Sequence, residues 1–290
     1  LATYYRDTFA ADLSAATGEE VEGAAFAPRS PAAKYLQAKY VVPYDSWEEA
    51  ILTDDAGDGS AWSAAHAKYH DYFRAMTQLQ DFEDVLMIDT DGDVVYSAFK
   101  GVDLGTNIMT GPYHDSDLAQ AFNKAMAANT VDYVVTTDFA AYLPSYNEPT
   151  AWLMSPVGEG GRVEGVLAMQ FPITKLNRLM TFDKQWDRSG MGRTGETFLV
   201  GTDNLMRSDS RLFLEDPQAY KRDVVAAGTP ASVAERAIRL GGTTLVQPVG
   251  NDLTQATQRG QAGVQVATDY LGHETLQAYA PVPNADVSWS

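Results

Sequence analysis

Two stretches of this chain repeat one another. VLMIDTDGDVVYS at 85–97 is echoed by TFLVGTDNLMRSD at 197–209. Setting Asp91 on Asp203 superposes an apolar run, a Thr-Asp pair, Gly92 or Asn204, and a second short run. Each copy reads as a β-hairpin: the apolar run is a buried strand, and the Asp-Gly or Asp-Asn pair tolerates the positive φ of a tight turn. Further on, Met154-Ser155-Pro156-Val157 matches Tyr279-Ala280-Pro281-Val282, each at the end of an apolar strand. After the first, a Gly-rich turn at Gly158–Gly161 leads into a strand from Val163 to Met169; after the second, Val287-Ser288-Trp289 stands where that strand would begin. A repeat of this length means two copies of one sheet topology.

Helices fill the remainder. Leu118, Ala121, Phe122, Ala125 and Met126 recur at helical spacing within Asp117–Ala128. Asp216–Ala226 and Ala231–Leu240 read as helices in the second half, followed by a strand over Thr243–Gln247. A helix precedes each hairpin, Ala61–Leu79 and Ile173–Trp186, the latter joining the halves. The expected class is therefore α+β: two tandem PAS-like modules, each an antiparallel sheet flanked by helices. Residues 1–60 form an N-terminal helical segment broken by Gly18, Gly23, Pro28 and Pro31; the modules span 61–180 and 181–290.

At 290 residues, two domains are the natural expectation. The net charge of −18 argues against a nucleic-acid partner, which needs a basic face. The charge is uneven: residues 1–180 hold 11 Lys+Arg against 26 Asp+Glu, a net of −15, and residues 181–290 hold 10 against 13, a net of −3. The second half is the better suited to lie near an anionic membrane surface. Cysteine is absent, so thiolate chemistry and disulfides are excluded. No run of about 18 apolar residues crosses a membrane, and no signal peptide is visible. The chain opens inside a helical pattern, Leu1 to Leu13, and stops at what reads as a strand start. Such ends suit an excerpt from a longer membrane protein.

Several motifs are weak on inspection. Gly190-x-Gly192-x-x-Gly195 has dinucleotide spacing, yet a helix precedes it and a strand follows, the reverse of what that site requires. Counting a calcium loop from Asp89 puts Val94 and Lys100 where Gly and a bidentate Glu belong. His66 and His70 lie one helical turn apart with no third ligand nearby in sequence, and such pairs are mostly exposed. Neither a nucleophile elbow nor a phosphate loop occurs. Nothing here supports catalysis, a metal or a cofactor.

Other residues carry a resemblance. Gly190 to Val200 with Leu205 to Arg211, Val94-Val95-Tyr96-Ser97 with Lys100, Asp103-Leu104-Gly105-Thr106-Asn107, and Tyr142-Leu143-Pro144-Ser145 resemble the double Cache family. Its members are extracytoplasmic sensor domains of bacterial chemoreceptors, sensor kinases and nucleotide cyclases. The resemblance covers roughly residues 60 to 290. It implies a membrane-distal ligand-binding module, a membrane-proximal module, and an N-terminal helix that provides a homodimer contact. It further implies a periplasmic or extracellular location, anchoring in a membrane in the full-length protein, and a cytoplasmic output domain. Members that recognise amino acids use a Tyr, Arg, Trp-Tyr and Asp constellation. Here Thr110-Gly111-Pro112-Tyr113 keeps only the Tyr, with Asp138 as the acidic member.

The expected ligand-binding residues are Tyr96, Lys100, Tyr113, Asp138, Tyr142 and Trp152, because pockets favour aromatic area with a few placed polar groups. Lys100 would meet a ligand carboxylate, and Asp138 an amine or hydroxyl. The plainer alternative is a structural or protein-binding domain without a small ligand, in which Tyr96 and Trp152 are core residues and Lys100 a solvated charge.

Overall fold

A computed structural model of the chain describes residues 1–284 and 286–290. It is α+β and divides into two compact units, Leu1–Pro172 and Ile173–Ser290. The division falls at the start of the helix expected to join the halves. The N-terminal segment belongs to the first unit.

The first unit is built on a six-stranded sheet. Its strands are β1 (Asp84–Asp89), β2 (Val94–Ser97), β3 (Val135–Thr136), β4 (Ala140–Tyr142), β5 (Glu148–Glu159) and β6 (Arg162–Pro172). The order is β2-β1-β6-β5-β3, with β4 also beside β5, and every pairing is antiparallel. Alternation along β1 sends Leu86 and Ile88 to one face and Val85 and Met87 to the other. A register shift between Met87 and Ile88 leaves Val95 as the extra residue of β2. Val94 therefore joins the first face and Tyr96 the second, although both have even spacing in the sequence.

Helix Asp117–Ala128 covers the first face, with Leu118, Ala121, Phe122 and Ala125 buried against Leu86, Ile88, Trp152, Met154 and Val166. Leu118 and Phe122 each contribute roughly 1.5–3 kcal/mol by leaving water. Ser116 caps this helix by accepting the Ala119 N–H, and Asn129 ends it in the left-handed region. Helix Ala61–Gln80 lies against the second face, where Phe73 and Met76 pack with Val85, Tyr96 and Ala98. The remaining core joins Tyr5, Phe9 and Leu13 of the N-terminal helical run to Leu36 and Tyr40 of helix Pro31–Tyr40 and to Val102, Leu104 and Tyr113.

The second unit departs from the expected pattern. Residues 197–209 turn as expected at Asn204, whose φ is +62°, but only isolated bridges form, Val200 to Met206 and Leu205 to Pro248. Thr243–Gln247 is a turn rather than a strand: the Asp209 carboxylate accepts both the Thr243 and Thr244 N–H groups, and Leu245 takes φ +61°. Those N–H groups are consequently lost to any ladder. The regular strands of this unit are β7 (Gly263–Thr268) and β8 (Glu274–Tyr279), an antiparallel pair. Helices Pro217–Ala226 and Ala231–Leu240 bury Tyr220, Val224, Ala234 and Ala237 with Phe213 and Val246. No helix among the described residues is long and apolar enough to cross a membrane.

Gly105, in the loop after β2, shows how tightly the N-terminal segment is held. Its φ is +77°, and a Cβ there would stand 2.7 Å from Ala33 Cα in helix Pro31–Tyr40. Gly105→Ala combines a left-handed alanine with an overpacked backbone contact, and the expected loss is ~3 kcal/mol by urea denaturation. Gly160→Ala, also at positive φ but with nothing within 4 Å, should cost only the conformational part, ~1 kcal/mol.

Candidate functional site

The polar residues of the first sheet face gather at one end of it. Asp84, at the start of β1, pairs with Gln170 of β6, which pairs in turn with Trp152 of β5. The loop after β2 folds back over this end because of Asp84. Its Oδ1 accepts the backbone N–H groups of Val85 (2.6 Å), Ala98 (2.9 Å) and Phe99 (3.0 Å), and its Oδ2 accepts the Ser97 hydroxyl (2.7 Å). Ser97 Oγ takes the Lys100 N–H at 2.5 Å. The loop then presents Phe99, Gly101 and Asp103 to a recess whose far wall holds Tyr142, Pro144, Ser145 and Gln170, with Trp47 and Glu83 beside them.

The recess measures about 270 Å³ counted to its open mouth and encloses about 20 Å³, space for about one water. Its lining carries three carboxylates and no lysine or arginine. Asp103 lies at its core. Oδ2 accepts the Tyr142 hydroxyl at 2.6 Å; Oδ1 is buried without a side-chain partner, and the Asp103 and Leu104 N–H groups help to stabilise the carboxylate. Gly101 makes room for Oδ1, since a Cβ there would sit 2.8 Å from it. The Tyr113 hydroxyl is likewise buried; it lies beside the Tyr5 hydroxyl and within electrostatic reach of Asp103.

The carboxyls resist ionisation. Burial, with the Asp103 charge adding to it, pushes Asp84 up to about 7. Burial, then Glu148 and Asp84, pushes Glu83 up to about 8. Asp103 is raised by burial against the opposing hydrogen bonds from Tyr142 and from the Asp103 and Leu104 backbone N–H groups. A cation entering the recess would offset these penalties; an anion would find no basic side chain to meet it.

Of the six residues expected from the sequence, Tyr142 lines the recess, and Trp152 packs edge-on to it at 5.1 Å within the core. Tyr113 lies in the N-terminal core near Asp103, stacked on Phe26. Asp138 is away from the recess; its Oδ1 accepts the Phe139 N–H, and it adds to the field on Asp117. Tyr96 and Lys100 face the opposite side of the sheet, where both meet His70. His66 and His70, read from sequence as an exposed pair, are buried and stacked at 4.2 Å, because polar residues occupy the helix stripe that meets the sheet. Sequence reasoning passed over Asp84, Gln170, Ser145 and the side chain of Asp103. The last stands inside a motif singled out above, and Asp84 heads an apolar strand, where an acid ordinarily marks an exposed end. No group of three or more His, Cys, Asp or Glu among the described residues is placed to hold a metal ion.

No protein-family model and no curated protein matches the chain. Among solved structures it is similar to the ligand-binding domain of the Pseudomonas aeruginosa PAO1 amino-acid chemoreceptor PctC in complex with GABA, at 14% identity and TM-score 0.43, over 84% of this chain and 83% of that one. It is similar to the ligand-binding domain of the Pseudomonas fluorescens chemoreceptor CtaA in complex with L-isoleucine, at 11% identity and TM-score 0.44, over 89% and 82%. A third is the sensor domain of the Vibrio cholerae histidine kinase DctB, at 14% identity and TM-score 0.41, over 99% and 92%. All three are ligand-binding or sensor domains.

The raised proton affinity of Asp84 has a stability consequence. With a folded-state value of about 7 against an ordinary 3.8, the folded chain holds a proton that the unfolded chain releases between those limits. That contribution is complete below about 3.8 and is lost as pH rises through about 7. Asp84→Asn keeps an acceptor for the N–H groups and a donor for Ser97. Chemical denaturation between pH 4 and 8 should therefore show this fall in the wild type and a flatter profile in the variant.

Proposed function

We propose that the chain is the extracytoplasmic sensing part of a membrane receptor, and that its first unit takes a small ligand bearing a cationic amine at the recess between Asp84 and Tyr142. The observation that carries this reading is the buried Asp103 carboxylate in the wall of the recess, whose Oδ1 has no side-chain partner. The resemblance to double Cache domains supports the sensing role. Three carboxylates without a facing cation support the charge of the ligand. The enclosed volume is too small for a ligand, so entry displaces part of the wall, such as Trp47 or Phe99. Binding is thereby tied to a conformational difference, which a sensor requires: a ligand that favours neither state transmits nothing. The output is a cytoplasmic domain reached through the membrane. The N-terminal helical run, with Tyr5, Phe9 and Leu13 turned into its own unit, leaves its polar side for a homodimer contact. No step in this role is enzymatic.

The small enclosed volume is also what a ligand-free structural domain would show, and one experiment separates the two. Thermal unfolding is followed with a panel of primary amines, amino acids and simple carboxylates. A ligand at 100 times its dissociation constant adds about 2.7 kcal/mol, several degrees for a unit of this size. Amines should stabilise the chain, carboxylates lacking an amine should not, and Asp103→Asn should abolish the shift. Stabilisation by carboxylates alone would overturn the ligand class. No shift anywhere in the panel would favour the structural reading.

A further inference from the structure

The opposite side of the same loop holds a buried lysine that the recess does not use. Lys100 is fully buried, and its φ of +61° turns its side chain away from Asp103 toward helix Ala61–Gln80. Nζ donates to the Ala98 carbonyl at 3.1 Å and lies 3.0 Å from His70 Nε2. The same Nε2 is 2.7 Å from the Ile51 carbonyl, and His70 Nδ1 is 2.7 Å from the Tyr96 hydroxyl.

Donor accounting decides the protonation here. A carbonyl only accepts, so the Ile51 contact requires a hydrogen on Nε2. Burial and the field of Lys100 push His70 down to about 3, so its ring is neutral and Nδ1 is the acceptor, taking the Tyr96 hydroxyl hydrogen. Lys100 therefore faces an N–H, and an ammonium there would set hydrogen against hydrogen. A neutral amine fits, offering its lone pair to Nε2–H and a hydrogen to Ala98.

The surroundings agree. The groups that act on Lys100 are Asp84 across the loop, Asp54 from the segment before the helix, and His66, His70 and Arg74 on the helix. Asp54 is engaged by Arg74 at 2.8 Å, and no carboxylate among the described residues contacts Nζ. Burial first, with Arg74 adding to it, brings Lys100 down to about 7.

We propose that Lys100 is a proton-operated latch: as a neutral amine it lets His70 hold the Ile51 carbonyl, and on taking up a proton it breaks that hold. Ile51 directly follows helix Trp47–Ala50, whose Trp47 lines the recess on the other side of the loop. Loss of the His70 bond leaves the Ile51 carbonyl only its longer contact with Arg74 Nη1, at 3.3 Å, and so loosens the recess wall, giving the unit a response to acidification that goes beyond ligand binding and does not depend on it.

Two measurements on the full chain test this. In lysine labelled with carbon-13 at Cε, one resonance should titrate near neutral pH and be missing from Lys100→Met. Hydrogen exchange, corrected for its intrinsic pH dependence, should rise severalfold over residues 47–54 between pH 8 and pH 6 in the wild type. It should stay unchanged in Lys100→Met and be high at both pH values in Lys100→Arg. A Lys100 resonance that titrates only in the ordinary lysine range would overturn the proposal, as would the same acid-dependent exchange in Lys100→Met. The wild-type titration decides the point even if a variant does not fold.

Discussion

The buried carboxylate of Asp84 organises the first unit more than any other single group. A strand that begins with an acid in the interior must find donors for it, and four are at hand: the Val85 N–H on the same strand, the Ala98 and Phe99 N–H groups of the loop after β2, and the hydroxyl of Ser97 at the end of β2. Hydrogen bonds to a charged acceptor contribute about 1.5–3 kcal/mol each, against a desolvation cost of several. The near balance is visible in Asp84 itself, which keeps a proton up to about pH 7 despite its donors. What the arrangement secures is geometry. Wrapped around Asp84, the loop sends Asp103 to one face of the sheet and Lys100 to the other.

That division explains why the recess is acidic and why no basic residue counters it. Lys100 is the nearest cation in sequence, and its left-handed backbone removes it from the side where it would neutralise Asp103. Oδ1 of Asp103 finds no side-chain donor in the recess wall. Gln170 does not relieve it, since its amide donates to Ser145 and Thr150. Such an acceptor at this depth persists only where the surrounding structure fixes it, and Gly101 and Tyr142 hold it in place.

Local signals were legible in the sequence where local physics governs. The apolar spacing of Asp117–Ala128 marked that helix to its ends, because capping by Ser116 and a left-handed Asn129 are properties of neighbouring residues. The Asp-Asn turn at 203–204 was legible for the same reason. The strand expected over Thr243–Gln247 failed because its N–H groups are captured by Asp209, more than thirty residues earlier, which no local pattern reveals. The site divides in the same way. Tyr142 and Trp152 stood out as aromatics on strands. Asp84 did not, since an acid before an apolar run reads as an exposed strand end until a distant loop is known to cover it. His66 and His70 looked like surface residues because a polar stripe at helical spacing ordinarily faces water.

The two faces of the loop are also joined electrically. Asp84 contributes to the field that favours a proton on Lys100, while Asp103 and burial oppose ionisation of Asp84. Protons on these buried groups therefore belong to the set rather than to one residue, and a change of charge on either side is felt on the other. A cation against Asp103 alters the condition under which Asp84 ionises, and with it the affinity of Lys100 for a proton. Linkage of this kind is reciprocal: were a ligand bound at the recess, pH acting through Lys100 would change its affinity by the same free energy with which the ligand would change the proton affinity of Lys100. A single loop folded on one carboxylate is sufficient to couple the two, with no larger rearrangement of the sheet.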